Sequence, residues 1–202
     1  TADMKAAGAI HMLLLKDYTE LEDFKGNLLF LSVPDEESLS QGAREGASLL
    51  NNLKDKHGLN YLMCIDGEPH ERDEKGRAVF YEGSVGKTMV VVYVRGRKTH
   101  LGHIFQGLNP SHVLSEIVTL TDMNPLFSDV VEGEVSPPPS WSFMRDTKEQ
   151  YDASIPESAG GYFSVLTLTQ TPKEILENAK KLSTQAFDNV IKRINEHYSR
   201  FR

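Results

Sequence analysis

Apolar and polar positions alternate along the chain with two periods, and the change between them divides it. Residues 3–22 place Ala6, Ile10, Leu13, Leu14 and Leu21 at helical spacing, with Met12 and Leu15 nearby. Residues 27–33 are an apolar run between Gly26 and Pro34, the pattern of a fully buried strand. A second helix is predicted from about Ser38 to His57, with Ala43, Ala47, Leu49, Leu50 and Leu53 inward and Gly58 as its stop. Residues 59–65 repeat the buried-strand pattern and end in Asp66-Gly67-Glu68-Pro69. Strand-helix-strand-helix order predicts a parallel sheet covered by helices.

Beyond the charged turn at 70–77 the pattern becomes β-branched. Residues 79–85 and 88–97 read as a pair of strands. A turn at Gly96 leads to Thr99-His100-Leu101-Gly102-His103 and Gly107-Leu108-Asn109-Pro110. A helix to about Leu120 then buries Val113, Ile117, Val118 and Leu120. Residues 122–141, with Pro125 and the run 137–139, read as loop, 142–154 as an exposed strand and 161–169 as a stronger one. Thr171 and Pro172 open a long helix whose seam is Ile175, Leu176, Ala179, Leu182, Ala186, Phe187, Val190, Ile191 and Ile194. From Thr88 the order lacks only a last strand to be a ferredoxin-like βαββαβ unit.

Composition narrows the class. Apolar content of 39% and charged content of 25% over 202 residues describe a globular chain. A net charge of −7 argues against a general nucleic-acid or anionic-membrane surface. Cys64 is the only cysteine, so neither an internal disulfide nor a thiolate metal cage can form. No run approaches the ~18 apolar residues of a membrane span, and a cytoplasmic setting is the default. The chain opens at Thr1 inside a structured pattern and stops at Arg202 on a helical one, so the expectation is a fragment of a longer protein.

The candidate chemistry is acidic. Asp3 stands at a helix start, Glu36 and Glu37 follow one predicted strand, and Glu68 follows the next. In an open α/β sheet, ligands bind outside the carboxyl ends of strands. Carboxylates gathered there repel, which raises their pKa values or demands a cation. Carboxylates alone suit Mg²⁺ or Mn²⁺, whereas zinc favours histidine, and only His70 stands near these strand ends. A structural reading competes: Asp3 as an N-cap, Asp35 capping the second helix, and Glu36-Glu37 favouring its dipole.

The same segments carry a resemblance. Thr1-Ala2-Asp3-Met4-Lys5, Asp35-Glu36-Glu37 and Asp66-Gly67-Glu68-Pro69 resemble, in this order, segments of the co-catalytic zinc aminoacylase, carboxypeptidase and desuccinylase family (peptidase family M-twenty). Gly83-Ser84-Val85-Gly86-Lys87, then Gly96 to Gly102 and Gly107-Leu108-Asn109, resemble the entry to its lid domain. Ser32 to Glu37 and Gly83 to Lys87 look most like its bacterial arginine-utilisation (Roc) branch.

The resemblance implies a mostly parallel α/β zinc-hydrolase catalytic domain, present in part as residues 1–86, then a ferredoxin-like α+β lid, 87–202. It implies two zinc ions, with Asp3 bridging them, Glu37 on one and Glu68 on the other. Glu36 is then the general base toward the metal-bound water. His100 is the lid histidine that holds the substrate or the developing oxyanion, often across a dimer, and Asn109 a second substrate contact. The substrate would be a small peptide or N-acyl amino acid, and the protein a homodimer through its lid. The family's two zinc histidines are expected outside the chain, so the fragment alone is expected to be inactive. Two alternatives stay open: a non-catalytic dimerisation or interaction module, and a carboxylate-only Mg²⁺ phosphohydrolase. Against the latter, residues 83–87 fall short of a phosphate-binding loop.

Overall fold

The computed structural model describes residues 3–69 and 71–202, which form two compact units, Thr1–Phe80 and Tyr81–Arg202. In the first, helix α1 spans Lys5–Thr19 and helix α2 spans Gln41–His57. Gly58 ends α2 in the left-handed conformation at φ 63°, its N–H returning to the Lys54 carbonyl as expected of a glycine stop. Asp3 is not the N-cap of α1; Met4 holds that position, and no side chain caps this helix.

The strands expected at 27–33 and 59–65 carry no ladder among the described residues, so the parallel sheet predicted for this unit is not formed there. Side-chain pattern selects an extended backbone, but a sheet also needs a neighbouring chain at ladder distance. Helices supply the contacts instead. A side chain at Gly46 would meet Leu31 and Val33 at 3.0 and 3.3 Å, so α2 lies directly on the first run. The Tyr61 hydroxyl of the second run donates to the Leu50 carbonyl of α2 at 2.7 Å. His11 of α1 meets Phe30 edge-on at 6.4 Å.

The face that α1 turns inward also differs from expectation. Met4, Ala7, Gly8, His11 and Leu15 are its half-buried positions, whereas Ile10, Leu13, Leu14 and Leu21 are exposed. Among the described residues of this unit only Gly46 is fully buried.

The second unit owns the core. Strands β1 (Gly86–Arg95), β4 (Ser140–Asp146) and β5 (Ser158–Thr167) form an antiparallel sheet in the order β1-β5-β4. Helices α3 (Pro110–Thr121) and α4 (Pro172–Phe201) cover one face. Strand, helix, strand, strand, helix are the first five elements of a βαββαβ unit, as the pattern predicted. Residues 79–85 form no strand, and among the described residues β5 is the ladder partner of β1. The stretch 122–141 is more ordered than a loop. It holds a 3-10 turn at Pro125–Phe127 and a small hairpin of β2 (Val130–Val131) and β3 (Glu134–Val135), then enters β4.

Burial follows the pleat: on β5, Ala159, Gly161, Phe163, Val165 and Thr167 face the helices and alternate with half-buried positions. Phe163 stacks obliquely on Trp141 and meets Phe127 edge-on. Ile175, Ala179, Leu182, Ala186 and Val190 are the buried seam of α4, while Leu176 and Phe187 stand exposed. Ile194 extends the seam by packing on Val113 and Ile117.

Candidate functional site

In the first unit three segments carry the acids. Asp3 precedes α1, joined to Met4 by a cis peptide bond. Glu36 and Glu37 lie in the turn between the first apolar run and α2. Asp35 takes a left-handed φ of 69°, and its carbonyl accepts the Ser40 N–H at 2.8 Å. The Ser40 hydroxyl closes the same turn on the Glu36 carbonyl at 3.0 Å. Gly42 lets α2 start hard against Pro34, whose carbonyl oxygen would lie 2.3 Å from any Cβ there.

Glu68 is placed by the turn that begins at Asp66, whose carboxylate accepts the Gly67 N–H at 3.0 Å. That turn is seated on α1: a Cβ at Gly67 would stand 2.6 Å from the Ala7 Cβ and 3.5 Å from His11 Nε2. The first turns of α1, which follow Asp3, thus back the loop that carries Glu68.

The acids also act on one another electrostatically. Glu37 shares a hydrogen bond with the Asp3 carboxyl, and this bond, more than any other influence, raises its pKa above the usual carboxylate range. The charges of Asp3, Glu36 and Glu68 push it the same way. Glu68 is raised too, first by partial loss of its water shell and then by the charges of Asp3, Asp66 and Glu36.

The competing capping role falls to one residue of the three. Asp35 Oδ2 accepts the Gln41 N–H at the start of α2, at 3.3 Å, while Glu37 is engaged with Asp3. Among the described residues no group of three or more His, Cys, Asp or Glu is placed as a ready metal cage. His70 lies outside the described residues.

In the second unit His100 and Asn109 sit on two crossing segments. Arg97 and Leu108 exchange backbone hydrogen bonds at 2.9 and 3.0 Å. The crossing is so close that a Cβ at Gly96 would lie 2.2 Å from the Leu108 carbonyl oxygen. One at Gly107 would lie 2.4 Å from the Thr99 methyl. His100 precedes a 3-10 segment, Leu101–Gln106, and its Nδ1 accepts the Gly102 N–H at 3.0 Å. Asn109 is the N-cap of α3: its Oδ1 accepts the Ser111 N–H at 2.9 Å, which commits the oxygen and leaves the amide nitrogen as donor. His100 and His103 face each other at 6.4 Å between ring centres. Sequence reasoning did not single out the polar residues that hold this loop, Lys98, Lys148, Asp152 and Ser154. Their signal, acids and lysines in a variable-looking turn, is no different from ordinary surface.

The two units define a mixed α/β protein with a carboxylate cluster in one and a histidine-bearing loop in the other. The chain belongs to peptidase family M20/M25/M40, whose model matches residues 1–197. It is 33% identical to the uncharacterized protein YqjN of Bacillus subtilis over 204 residues, which cover all of this chain and 37% of that protein. Protein RocB of the same organism is 31% identical, again over the whole chain and 36% of its own length, in line with the Roc-branch resemblance. A succinyl-diaminopimelate desuccinylase from Hydrogenovibrio crunogenus is 29% identical over 124 residues, covering 61% of this chain and 31% of that enzyme. The chain thus spans little more than a third of the curated relatives it matches. Among the described residues no helix is long and apolar enough to cross a membrane.

Proposed function

We propose that the chain carries the acid wall and the substrate-holding loop of a zinc-dependent amide hydrolase, a peptidase or N-acyl amino-acid deacylase of small substrates. The activity is that of a protein of the relatives' length. The observation that supports this reading most is that Glu37 and Glu68 are both raised above the usual carboxylate range, each in part by the charges of Asp3 and Glu36. Three separate segments bring mutually repelling groups together, and a divalent cation relieves such repulsion as a proton does.

Asp3 would bridge two zinc ions, Glu37 hold one and Glu68 the other, all as oxygen donors that zinc accepts. When bound, the metal supplies Lewis acidity toward the scissile carbonyl and a lowered pKa for water. Glu36 takes a proton from the attacking water and returns it to the leaving amine. His100 and Asn109 donate hydrogen bonds to substrate oxygens. Arginine utilisation is the metabolic setting we propose, on the similarity to RocB. The second unit would carry a homodimer contact, with the open edge of β1 and the exposed Phe187 available to a second copy. A lone exposed cysteine suits a cytoplasmic setting.

Zinc calorimetry of the chain tests the acid wall. Binding should release protons, and Glu37→Gln and Glu68→Gln should each weaken it sharply. Equal affinity in wild type and both variants would end this reading. In a protein of the relatives' length, Glu36→Gln should abolish hydrolysis of N-acyl amino acids while zinc affinity is kept.

A further inference from the structure

The segment that holds His100 has one apolar anchor, the buried Ile155 at its C-terminal end, and polar bonds before it. The backbone around it is bonded to residues 153–155: the Leu101 N–H donates to the Ala153 carbonyl and the Ile155 N–H to the Thr99 carbonyl, both at 3.0 Å. His100 itself forms a bridge with Ser154. Yet the turn that leads there, from Lys148 to Ser154, is largely exposed, with Tyr151 almost wholly in solvent.

Polar bonds centred on Asp152 hold that turn. Lys148 Nζ donates to Asp152 Oδ1 at 2.7 Å, to the Asp152 carbonyl at 2.9 Å and to the Ser154 carbonyl at 2.8 Å. The Ser154 N–H reaches Asp152 Oδ1 at 3.0 Å, and the Ser154 hydroxyl donates to the same oxygen. Lys98, two residues before His100, reaches Asp152 Oδ2 at 3.2 Å. Single exposed ion pairs contribute little, but donors from three residues converging on one carboxylate form a network.

The ring completes the argument. A backbone N–H can only donate, so the Gly102 bond makes Nδ1 an acceptor and places the proton of the neutral ring on Nε2. The free end of His100 is therefore a hydrogen-bond donor, suited to a carbonyl or carboxylate oxygen.

We propose that Asp152 is a positioning residue for His100: its clip of Lys98, Lys148 and Ser154 keeps the imidazole on the Gly102 N–H, so that Nε2–H faces the substrate. The substrate-facing half of this inference rests on the reading of His100 given above.

Long-range ¹H–¹⁵N correlation spectra of the histidine rings in the ¹⁵N-labelled chain test the clip. In wild type His100 should show a protonated Nε2 and an unprotonated Nδ1. Asp152→Ala should raise the Nδ1–H fraction of His100 to the minor share it has in a free imidazole, while His112 on α3 keeps its wild-type pattern, and Asp152→Glu should restore much of the pure Nε2–H form. Should Asp152→Ala perturb His112 as well, Lys98→Ala, which cuts only the arm to the His100 segment, replaces it with the same expected shift. A wild-type His100 protonated at Nδ1 overturns the proposal. So does an unchanged His100 pattern in a folded Asp152→Ala or Lys98→Ala chain. No metal or substrate enters the measurement, so its failure removes the clip and leaves the hydrolase reading to its own calorimetric test.

Discussion

Asp129 meets Thr169 twice, taking its backbone N–H at 2.9 Å and its hydroxyl at 3.3 Å. The same carboxylate accepts the N–H groups of Leu168 at 2.7 Å and Gln170 at 3.0 Å, which join β5 to the start of α4. Burial by itself would raise its pKa, but the N–H groups of Gln170, Thr169 and Leu168 together hold it below the usual range. Asp129→Ala leaves four donors, three backbone N–H groups and the Thr169 hydroxyl, without their acceptor and should cost about 2–3 kcal/mol. Urea unfolding of the chain would measure it, and Asp129→Asn should recover only part.

The α3–α4 seam predicts a pH dependence. Arg193 reaches His112 Nε2 at 3.2 Å and Glu116 at 3.0 Å, and Asn189 donates to Glu116 at 2.9 Å. Burial first, then the Arg193 charge, depresses the His112 pKa, with Glu116 opposing them. A histidine depressed in the folded state favours the unfolded state once protons are available. Its contribution is therefore intact above its unfolded pKa of about 6.5 and declines as pH falls through that value. Glu116, lowered by Asn189 and Arg193, adds a second loss as pH falls below the unfolded value for glutamate, about 4.3. Thermal melts across this range should fall in two stages, and His112→Gln should flatten only the first.

The long helix depends on its opening. Thr171 Oγ1 accepts the Glu174 N–H at 3.3 Å while Glu174 returns a bond to the Thr171 N–H at 2.7 Å, a reciprocal cap with Pro172 at the first helical position. Thr171→Ala should lower stability by about 1 kcal/mol, read as a fall in the urea midpoint with unchanged slope.

Gly107→Ala tests how tightly the crossing below His100 is drawn. A methyl there meets the Thr99 side chain, the Arg97 carbonyl at 2.7 Å and Ile155 at 2.9 Å, so backbone must give way. The expected cost is about 1–3 kcal/mol, together with shifted His100 ring resonances. Gly133→Ala, at a hairpin tip where the cost comes from a φ of 93° and not from a neighbouring atom, should leave those resonances alone.

Local signals predicted the second unit well. Thr171-Pro172 placed the start of α4, Asn109-Pro110 that of α3, and the β-branched runs located β1 and β5, because each reports a preference of a few neighbouring residues. Residues 27–33 and 59–65 read as strands by the same logic, but ladder formation is settled by a distant partner that composition does not specify. Helical spacing gave α1 correctly, yet an apolar stripe on both sides let Ala7, Gly8 and His11 take the inner face over Ile10 and Leu13. Sequence order assigned Asp3, Glu36, Glu37 and Glu68 to turns of one unit, but the sheet expected to gather them is not formed, and what positions those turns is packing on the helices. Asp129 and Asp152 were not legible, since an acid that gathers distant N–H or ammonium groups looks locally like any surface acid.

Of the two uncharged runs, Leu28 to Val33 is partly covered by α2, whereas Leu59 to Ile65 leaves much of its apolar surface in water, Leu62 at 85% and Met63 at 78% exposure. Short segments of this kind, proline-free and neutral, are the stuff of cross-β fibrils when their backbone groups find no intramolecular match. On prolonged incubation at high concentration the chain is thus expected to form thioflavin-positive aggregates that start from these runs, and Leu62→Lys should delay their onset.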